Sequence, residues 1–198
     1  MSVIQVQGLR SLKGEIKIQG SKNAVLPIMA AAVLHKGTTV IHNVPRIQDV
    51  FCMLGILERI GCIYSLDGHT LTIDASDIKC AEIPEEYIKS MRSSIILSGP
   101  LLGRLGDAVT SFPGGCSIGQ RPIDLHLAAF RTLGAVIEEK DEKLCASAKT
   151  LVGADIYFPF PSVGATENAL MAAVYAKGIT VIHGAAKEPE ITSLCEFL

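Results

Sequence analysis

The sequence predicts an α/β fold in which three copies of a β-α-β-α-β-β unit bury their helices and carry their sheets outside. Three observations point there. First, the chain matches itself. Ser21-Lys-Asn-Ala24 through Gly37-Thr-Thr-Val-Ile-His42 aligns without a gap on Ser162-Val-Gly-Ala165 through Gly178-Ile-Thr-Val-Ile-His183, an offset of 141 residues. Second, a fainter middle copy places Ser90-Met-Arg92 on Ser21-Lys-Asn23 and Val109 on Val40, at an offset of 69. Third, the helix read over Ala24–Leu34 is apolar nearly all round, and a helix without a polar face belongs in an interior.

Taken in order, Glu15–Gln19 alternates and reads as a strand. Ser21 is a plausible N-cap for a buried helix over Ala24–Leu34. Thr39–His42 is a short β-branched strand. Asp49 can cap a second helix, Val50–Ile60, with Val50, Met53, Leu54, Leu57 and Ile60 at helical spacing. Gly61 suits its C-terminal cap. Cys62–Ser65 and Thr70–Ile73 flank Leu66-Asp-Gly-His69, whose Asp-Gly step signals a hairpin. In the middle copy the register slips: Leu133-Gly-Ala-Val136 matches Ile60-Gly-Cys-Ile63 at an offset of 73. About four residues are therefore inserted, where Pro113-Gly-Gly-Cys116 lies, and insertions in repeats collect on a working face. The third copy ends at Leu198, the counterpart of Leu57, before its hairpin. The expectation is a truncated third repeat, in a chain that is one piece of a longer fold.

Composition narrows the class. The 198 residues are 48% hydrophobic and 19% charged with a net charge of −2, a globular profile that argues against a nucleic-acid partner or a polybasic membrane surface. The longest apolar run, Ala24–Leu34, contains Pro27 and falls well short of the ~20 residues of a membrane span. With no secretory start, a soluble cytoplasmic protein is expected. The histidines show no metal-ligand spacing. Cys52, Cys62, Cys80, Cys145 and Cys195 read as reduced, buried fillers.

Cys116 stands apart, in the loop Pro113-Gly-Gly-Cys-Ser-Ile-Gly-Gln-Arg-Pro122. By its residues alone it is either an acid or nucleophile on a movable lid, or a small residue in a turn. Gly114, Gly115 and Gly119 would let such a lid close, and Arg121 supplies charge. Lys22 lies at a helix start, where a cation is unfavourable unless an anion joins it. The third copy has Val163 there, so the repeat does not require lysine. The alternative is a solvated lysine beside a Ser cap. Arg92 and Arg121 are further anion candidates. Asp124 and Ser162 can each be a helix cap or a ligand contact.

Gly20-Ser-Lys-Asn-Ala24, Pro113–His126, Ser162-Val-Gly-Ala-Thr166 and Glu188-Pro-Glu-Ile191 together resemble the UDP-N-acetylglucosamine 1-carboxyvinyltransferase family of enolpyruvyl transferases, over essentially the whole chain. That resemblance implies one inside-out α/β barrel domain of a two-domain fold. Residues 20–198 would form this domain, incomplete at its C-terminus. Residues 1–19 would be strands that complete the second domain. The implied reaction moves the enolpyruvyl group of phosphoenolpyruvate to the 3-hydroxyl of UDP-N-acetylglucosamine, with release of phosphate, at the start of peptidoglycan precursor synthesis. No metal or organic cofactor is implied.

By the same resemblance, Cys116 is the proton donor and the residue alkylated by fosfomycin. Lys22 and Arg121 meet substrate anions, and Asn23 binds the amino sugar. Arg92 lies near the UDP-sugar. Pro122, Ile123, Asp124 and Leu125 hold the uridine, and Ser162, Val163 and Gly164 touch the nucleotide. Phe160-Pro161 departs from the family pattern, so no phosphate contact is assigned there. His126 completes the motif and is assigned no chemistry. An aspartate acting on the sugar hydroxyl and further arginines would come from the second domain. A second chain supplying that domain, or self-association through an exposed apolar face, is the expected protein partner. A catalytically silent UDP-sugar-binding module and a structural interaction fragment are the competing readings.

Overall fold

The structure, a computed structural model, describes residues 3–8, 11, 13–111 and 123–198, with the side chains of 89, 90, 92 and 93 excepted. The first copy comprises α1 (Lys22–Ala31), a 3-10 turn over Ala32–Leu34, β1 (Thr38–Ile41), α2 (Gln48–Ile60), β2 (Ile63–Asp67) and β3 (Thr70–Asp74). The second adds α3 (Glu85–Ser90), a 3-10 segment over Arg92–Leu97, α4 (Ser98–Leu105), β4 (Asp107–Ser111), α5 (Asp124–Thr132), β5 (Val136–Lys140) and β6 (Lys143–Ser147). The third holds β7 (Asp155–Tyr157), α6 (Val163–Ala173), β8 (Val181–His183) and α7 (Pro189–Phe197).

The repeat survives down to single hydrogen-bonded pairs. The first two copies carry antiparallel sheets ordered β1-β3-β2 and β4-β6-β5. Thr38 pairs with Asp74, and Asp107 pairs with Ser147. The first members of these pairs differ by 69 residues and the second by 73, the two offsets read from the sequence. The insertion therefore falls in the connection after β4. Residues 42–47 join β1 to α2, whereas residues 112–123 join β4 to α5. In the third copy β8 pairs in parallel with β7. The middle copy reduces that pairing to one parallel bridge between Glu82 and Val109.

Helices form the centre. α1 buries Val25, Leu26, Met29, Ala30 and Ala31, and α6 buries Ala165, Ala169, Met171 and Ala172. The closest helix pair is α4 with α6. A Cβ added at Gly99 would lie 2.5 Å from the Asn168 carbonyl oxygen, and one at Gly103 would lie 3.3 Å from that of Ala172. Two backbones meet there because glycine and alanine let them. The second helix of the first copy ends as expected, with Gly61 left-handed at φ 111°.

Several expectations are corrected. The three sheets stay separate and do not close into a barrel among the described residues. Glu15–Gln19 is not a strand; Ile16 and Ile18 are 86% and 78% exposed. A strand exists through hydrogen bonds to a neighbour, and no described segment supplies them. Asp49 sits inside the first turn of α2, and Ile47 holds the cap position. Ser21 occupies the cap of α1 with extended backbone, yet its side chain makes no cap bond. The hairpin turn shrinks to Gly68-His69, because β2 runs on to Asp67. Among the five described cysteines only Cys62 is buried, and burial pushes its thiol up to about 11; Cys195 is exposed.

The α4–α6 approach gives a ranked prediction. Alanine favours a helix over glycine by about 1 kcal/mol, while overpacking a tight core costs about 1–3 kcal/mol. Urea unfolding of Gly99→Ala is expected to show a net loss of about 1–2 kcal/mol. Gly103→Ala, with its longer contact, is expected to stay near the wild-type midpoint.

Candidate functional site

The residues singled out from the sequence gather at helix starts, and the structure ties those starts into one row. Lys22, in the first turn of α1, pairs with Asp49 in the first turn of α2. Next to it, the Asn23 amide donates to Glu190 Oε1 at 3.3 Å, which joins α1 to the first turn of α7. Asp49 and Glu190 are counterparts at the 141-residue offset. The third copy has valine in place of lysine, so its acid is free to serve Asn23 instead. α7 is tied to α6 in turn: Ala186 N–H, ahead of α7, donates to Thr166 Oγ1 at 3.1 Å. Finally, Gly164 at the start of α6 lies over the ring of His126 near the start of α5; a Cβ there would come within 3.1 Å of His126 Cε1.

Each start is shaped by its own residues. Ser162 caps α6, its Oγ accepting from Ala165 N–H at 3.4 Å, and Thr166 Oγ1 donates back to the Ser162 carbonyl at 2.8 Å. Ile123 holds the cap position of α5. Asp124 is its first helical residue, exposed and making no cap bond, so the capping alternative is set aside. Leu125 packs against the core. In α1, Pro27 has no N–H to return to the Asn23 carbonyl, which leaves that oxygen outside the helix ladder.

His126, assigned no chemistry from the sequence, turns out to be a support. It is 8% exposed, and its Nδ1 lies 2.8 Å from Asn168 Nδ2. Asn168 Oδ1 accepts from Gly99 N–H at 2.6 Å, and its amide nitrogen donates to the Ile95 carbonyl at 3.1 Å. That fixes which end of the amide is the donor. His126 Nδ1 must therefore accept, and the ring proton sits on Nε2. Burial holds the ring neutral, with its pKa pushed down to about 4.

Charge sorts the helix starts by use. α2, α5 and α7 each carry an acid in their first turn, Asp49, Asp124 and Glu190. Within the row, α1 and α6 carry none; α4 lacks one too, but it continues directly from the 3-10 segment that ends at Leu97. A helix start is partly positive, and those two are left unsatisfied by their own sequence. They present Lys22 and Asn23, and Ser162, Val163 and Gly164. An anion is the ligand such an arrangement favours.

Other expected residues do not join this description. Arg92 opens the 3-10 segment of the middle copy, and its side chain lies outside the described residues. Cys116, Arg121 and Pro122 also lie outside them. The ammonium of Lys22, expected to meet a substrate anion, contacts the Asp49 carboxylate. Asp49 was expected only as a helix cap, and Glu190, His126 and Asn168 were given no role from the sequence. The offset that matches Asp49 to Glu190 was the one signal for that pair.

Among the described residues no group of three or more His, Cys, Asp or Glu side chains is placed to hold a metal ion, and no helix is long and apolar enough to cross a membrane. A concavity lined by Leu102, Arg104, Gly134, Tyr175 and Lys177 lies at the C-terminal ends of α4, α5 and α6, away from this row.

Comparison with known proteins agrees with the sequence motifs. The family profile of EPSP synthase (3-phosphoshikimate 1-carboxyvinyltransferase) matches residues 6–198. The chain is 49% identical over 198 residues to UDP-N-acetylglucosamine 1-carboxyvinyltransferase 2 of Caldanaerobacter subterraneus subsp. tengcongensis, covering 100% of this chain and 48% of that protein. It is 50% identical over 200 residues to UDP-N-acetylglucosamine 1-carboxyvinyltransferase of Finegoldia magna, covering 100% of this chain and 47% of that protein. The chain thus spans about half the length of the curated relatives it matches. Among solved structures, the enolpyruvyl transferase NikO from Streptomyces tendae matches with a TM-score of 0.81 at 23% identity, over 94% of this chain and 44% of that one. EPSP synthase from Acinetobacter baumannii matches with a TM-score of 0.70 at 18% identity, over 90% and 42%. At those identities the two structures show a shared fold.

The buried His126 sets a pH dependence. Its folded pKa, about 4, lies below its ordinary value of 6.5, so the unfolded chain binds the extra proton first. Its contribution is present above pH 6.5 and is lost as pH falls towards 4. The expected loss is on the order of 3 kcal/mol. It is read as the difference between wild type and His126→Gln in urea titrations across that window.

Proposed function

The chain belongs to the EPSP synthase family, and from that premise we propose that it carries one wall of the active site of a UDP-N-acetylglucosamine 1-carboxyvinyltransferase. One observation supports this reading above the rest: of the helix starts linked into one row, the two without acids, α1 and α6, bear the motif residues and are tied to the start of α5. Two substrates bearing phosphates need two such places. Phosphoenolpyruvate would lie at α1, against Lys22 and the first-turn N–H groups. The UDP group would lie between Ser162–Gly164 and Ile123–Leu125, with Asn23 reaching the sugar and Arg92 beside it.

The chemistry follows from that placement. The Cys116 thiol gives a proton to the methylene carbon of phosphoenolpyruvate, leaving an oxocarbenium-like centre at the adjacent carbon. The sugar 3-hydroxyl adds to that carbon and loses its proton. Loss of phosphate and of one methyl proton then regenerates the enol ether. Lys22 stabilises the phosphate by exchanging the Asp49 carboxylate for it, and Arg121 adds a second cation. The group that takes the hydroxyl proton, and a further arginine clamp, would come from a second domain. Residues 1–19 would add strands to that domain; the exposure of Val3, Ile4, Val6, Ile16 and Ile18 supports this. The proposed reaction would belong to peptidoglycan precursor synthesis in the cytoplasm, on small-molecule substrates and without a resident cofactor; the names of the relatives as UDP-N-acetylglucosamine 1-carboxyvinyltransferases support this reading.

Fosfomycin, an epoxide bearing a phosphonate, tests the anion site and the thiol together. Intact-mass analysis is expected to show one adduct on the wild-type chain, located at Cys116 and absent from Cys116→Ser. Lys22→Gln is expected to slow its formation at least tenfold. Equal labelling of the exposed Cys195 would count against a built site.

A further inference from the structure

The turn between β2 and β3, Gly68-His69, leans on the connection from β1 to α2. His69 Nδ1 lies 2.8 Å from the Val44 carbonyl oxygen, and Val44 N–H donates back to the His69 carbonyl at 2.9 Å. A carbonyl can only accept, so Nδ1 is the donor. Arg46 Nη1 donates to the Gly68 carbonyl at 3.1 Å, and its guanidinium lies 5.5 Å from the centre of the Phe51 ring on α2. His42 Nδ1 is 3.3 Å from Thr70 Oγ1. Past the last ladder pair, Ile41 with Leu71, the connection therefore stays tied to the turn as far as Arg46.

That connection meets the start of α1 at two points. One is backbone on backbone: a Cβ added at Gly20 would overlap the Asn43 carbonyl oxygen and lie 3.3 Å from Pro45 Cδ. The other is the Lys22–Asp49 pair, since the connection delivers Asp49 in the first turn of α2. The chain turns into the connection with Asn43 left-handed, at φ 58°. The third copy makes the same turn with Gly184, at φ 70° and the 141-residue offset. It has Pro161 where the first copy has Gly20, and Val163 where the first has Lys22. The scaffold thus requires neither a glycine packed on that carbonyl nor an asparagine in a conformation that suits glycine better. Both occur in the copy that carries the lysine.

The contacts run in order from His69 to Val44, through the adjoining Asn43 to Gly20, and so to Lys22. We propose that His69 is a positioning residue for Lys22, acting through residues 42–47. By holding both polar groups of the Val44 backbone, it fixes the neighbouring Asn43 carbonyl against Gly20. Gly20 then has one place to lie, and the first turn of α1 is set in register with Asp49. Without the side-chain bond the connection is free to relax away from α1, and Lys22 loses that register. His69 is itself exposed and outside the core, so its removal spares the packing of the fold. The consequence for ligands rests on reading the start of α1 as a phosphate site; the brace itself does not.

Backbone amide NMR reads the brace without a ligand. His69→Ala is expected to shift the amides of Gly20, Ser21 and Lys22, far from it in the chain. His69→Asn, whose Nδ2 stands where the imidazole Nδ1 does, is expected to return them to their wild-type positions. Glu142→Ala, at the counterpart of His69 in the second hairpin, is expected to leave them unmoved. Gly20→Ala pushes from the other end and is expected to shift the His69 amide, which keeps the test open should His69→Ala fail to fold. Unmoved Gly20–Lys22 amides in His69→Ala, shifts that persist in His69→Asn or appear equally in Glu142→Ala, or a His69 amide indifferent to Gly20→Ala overturn the proposal. Titration with phosphoenolpyruvate, read at the Lys22–Ala24 amides, forms a separate arm. Affinity about fivefold weaker in His69→Ala and recovered in His69→Asn supports both readings. Wild-type affinity in a His69→Ala chain overturns the positioning role. Shifted amides with no phosphoenolpyruvate binding even in wild type keep the brace and remove the phosphate from α1.

Discussion

Helices with no polar side govern this structure. α1 is apolar nearly all round and α6 buries even its Thr166, Glu167 and Asn168, so each must be covered on every flank. α6 is flanked by α4, α5 and α7, and α1 by α2, α7 and the 3-10 segments. Sheets take what remains, outside. Once the flanks are covered, the ends are the surfaces that polar chemistry can use. The glycines of α4 serve this arrangement rather than any ligand, because they let α4 and α6 approach backbone to backbone. The row of helix starts is a consequence of the same packing.

Electrostatics then divides the row. A helix start with an acid in its first turn is already satisfied; one without an acid waits for something. Asp49 and Glu190 do more than neutralise their own helices, since each reaches across to α1 and holds one of two adjacent residues. Such contacts hold Lys22 and Asn23 in place, and under the proposed function a substrate would compete for them. A surface ion pair like Lys22–Asp49 is worth little in itself, about 0–1 kcal/mol, so a phosphate can displace it cheaply. His126 and Asn168 play the opposite part. They are buried, hydrogen-bonded to each other, and fix the floor beneath Gly164.

Much of this was legible in the sequence. The two offsets located the repeat so well that they reproduce strand partners residue by residue, as Thr38–Asp74 and Asp107–Ser147 show. Gly61 was readable because left-handed backbone selects glycine. What escaped was whatever depends on a neighbour distant in the chain. Glu15–Gln19 has the alternation of a strand, but alternation cannot supply a hydrogen-bonding edge. Asp49 has the composition of a cap, and the Lys22 ammonium drew its carboxylate elsewhere. His126 looked like the tail of a motif, because its role lies in contacts to Asn168 and Gly164, 42 and 38 residues on. Closure into a barrel came from family likeness, and separate sheets are what the described strands form.

The account turns on anions binding at helix starts, and a chemical-shift map with UDP-N-acetylglucosamine tests that most directly. Backbone amide shifts in the 198-residue chain are predicted to concentrate at Lys22–Ala24, Ile123–Leu125 and Ser162–Ala165, the starts of α1, α5 and α6. Shifts that gather instead around Arg104, Gly134 and Tyr175, at the opposite helix ends, would contradict it. So would the absence of any shift at millimolar nucleotide sugar.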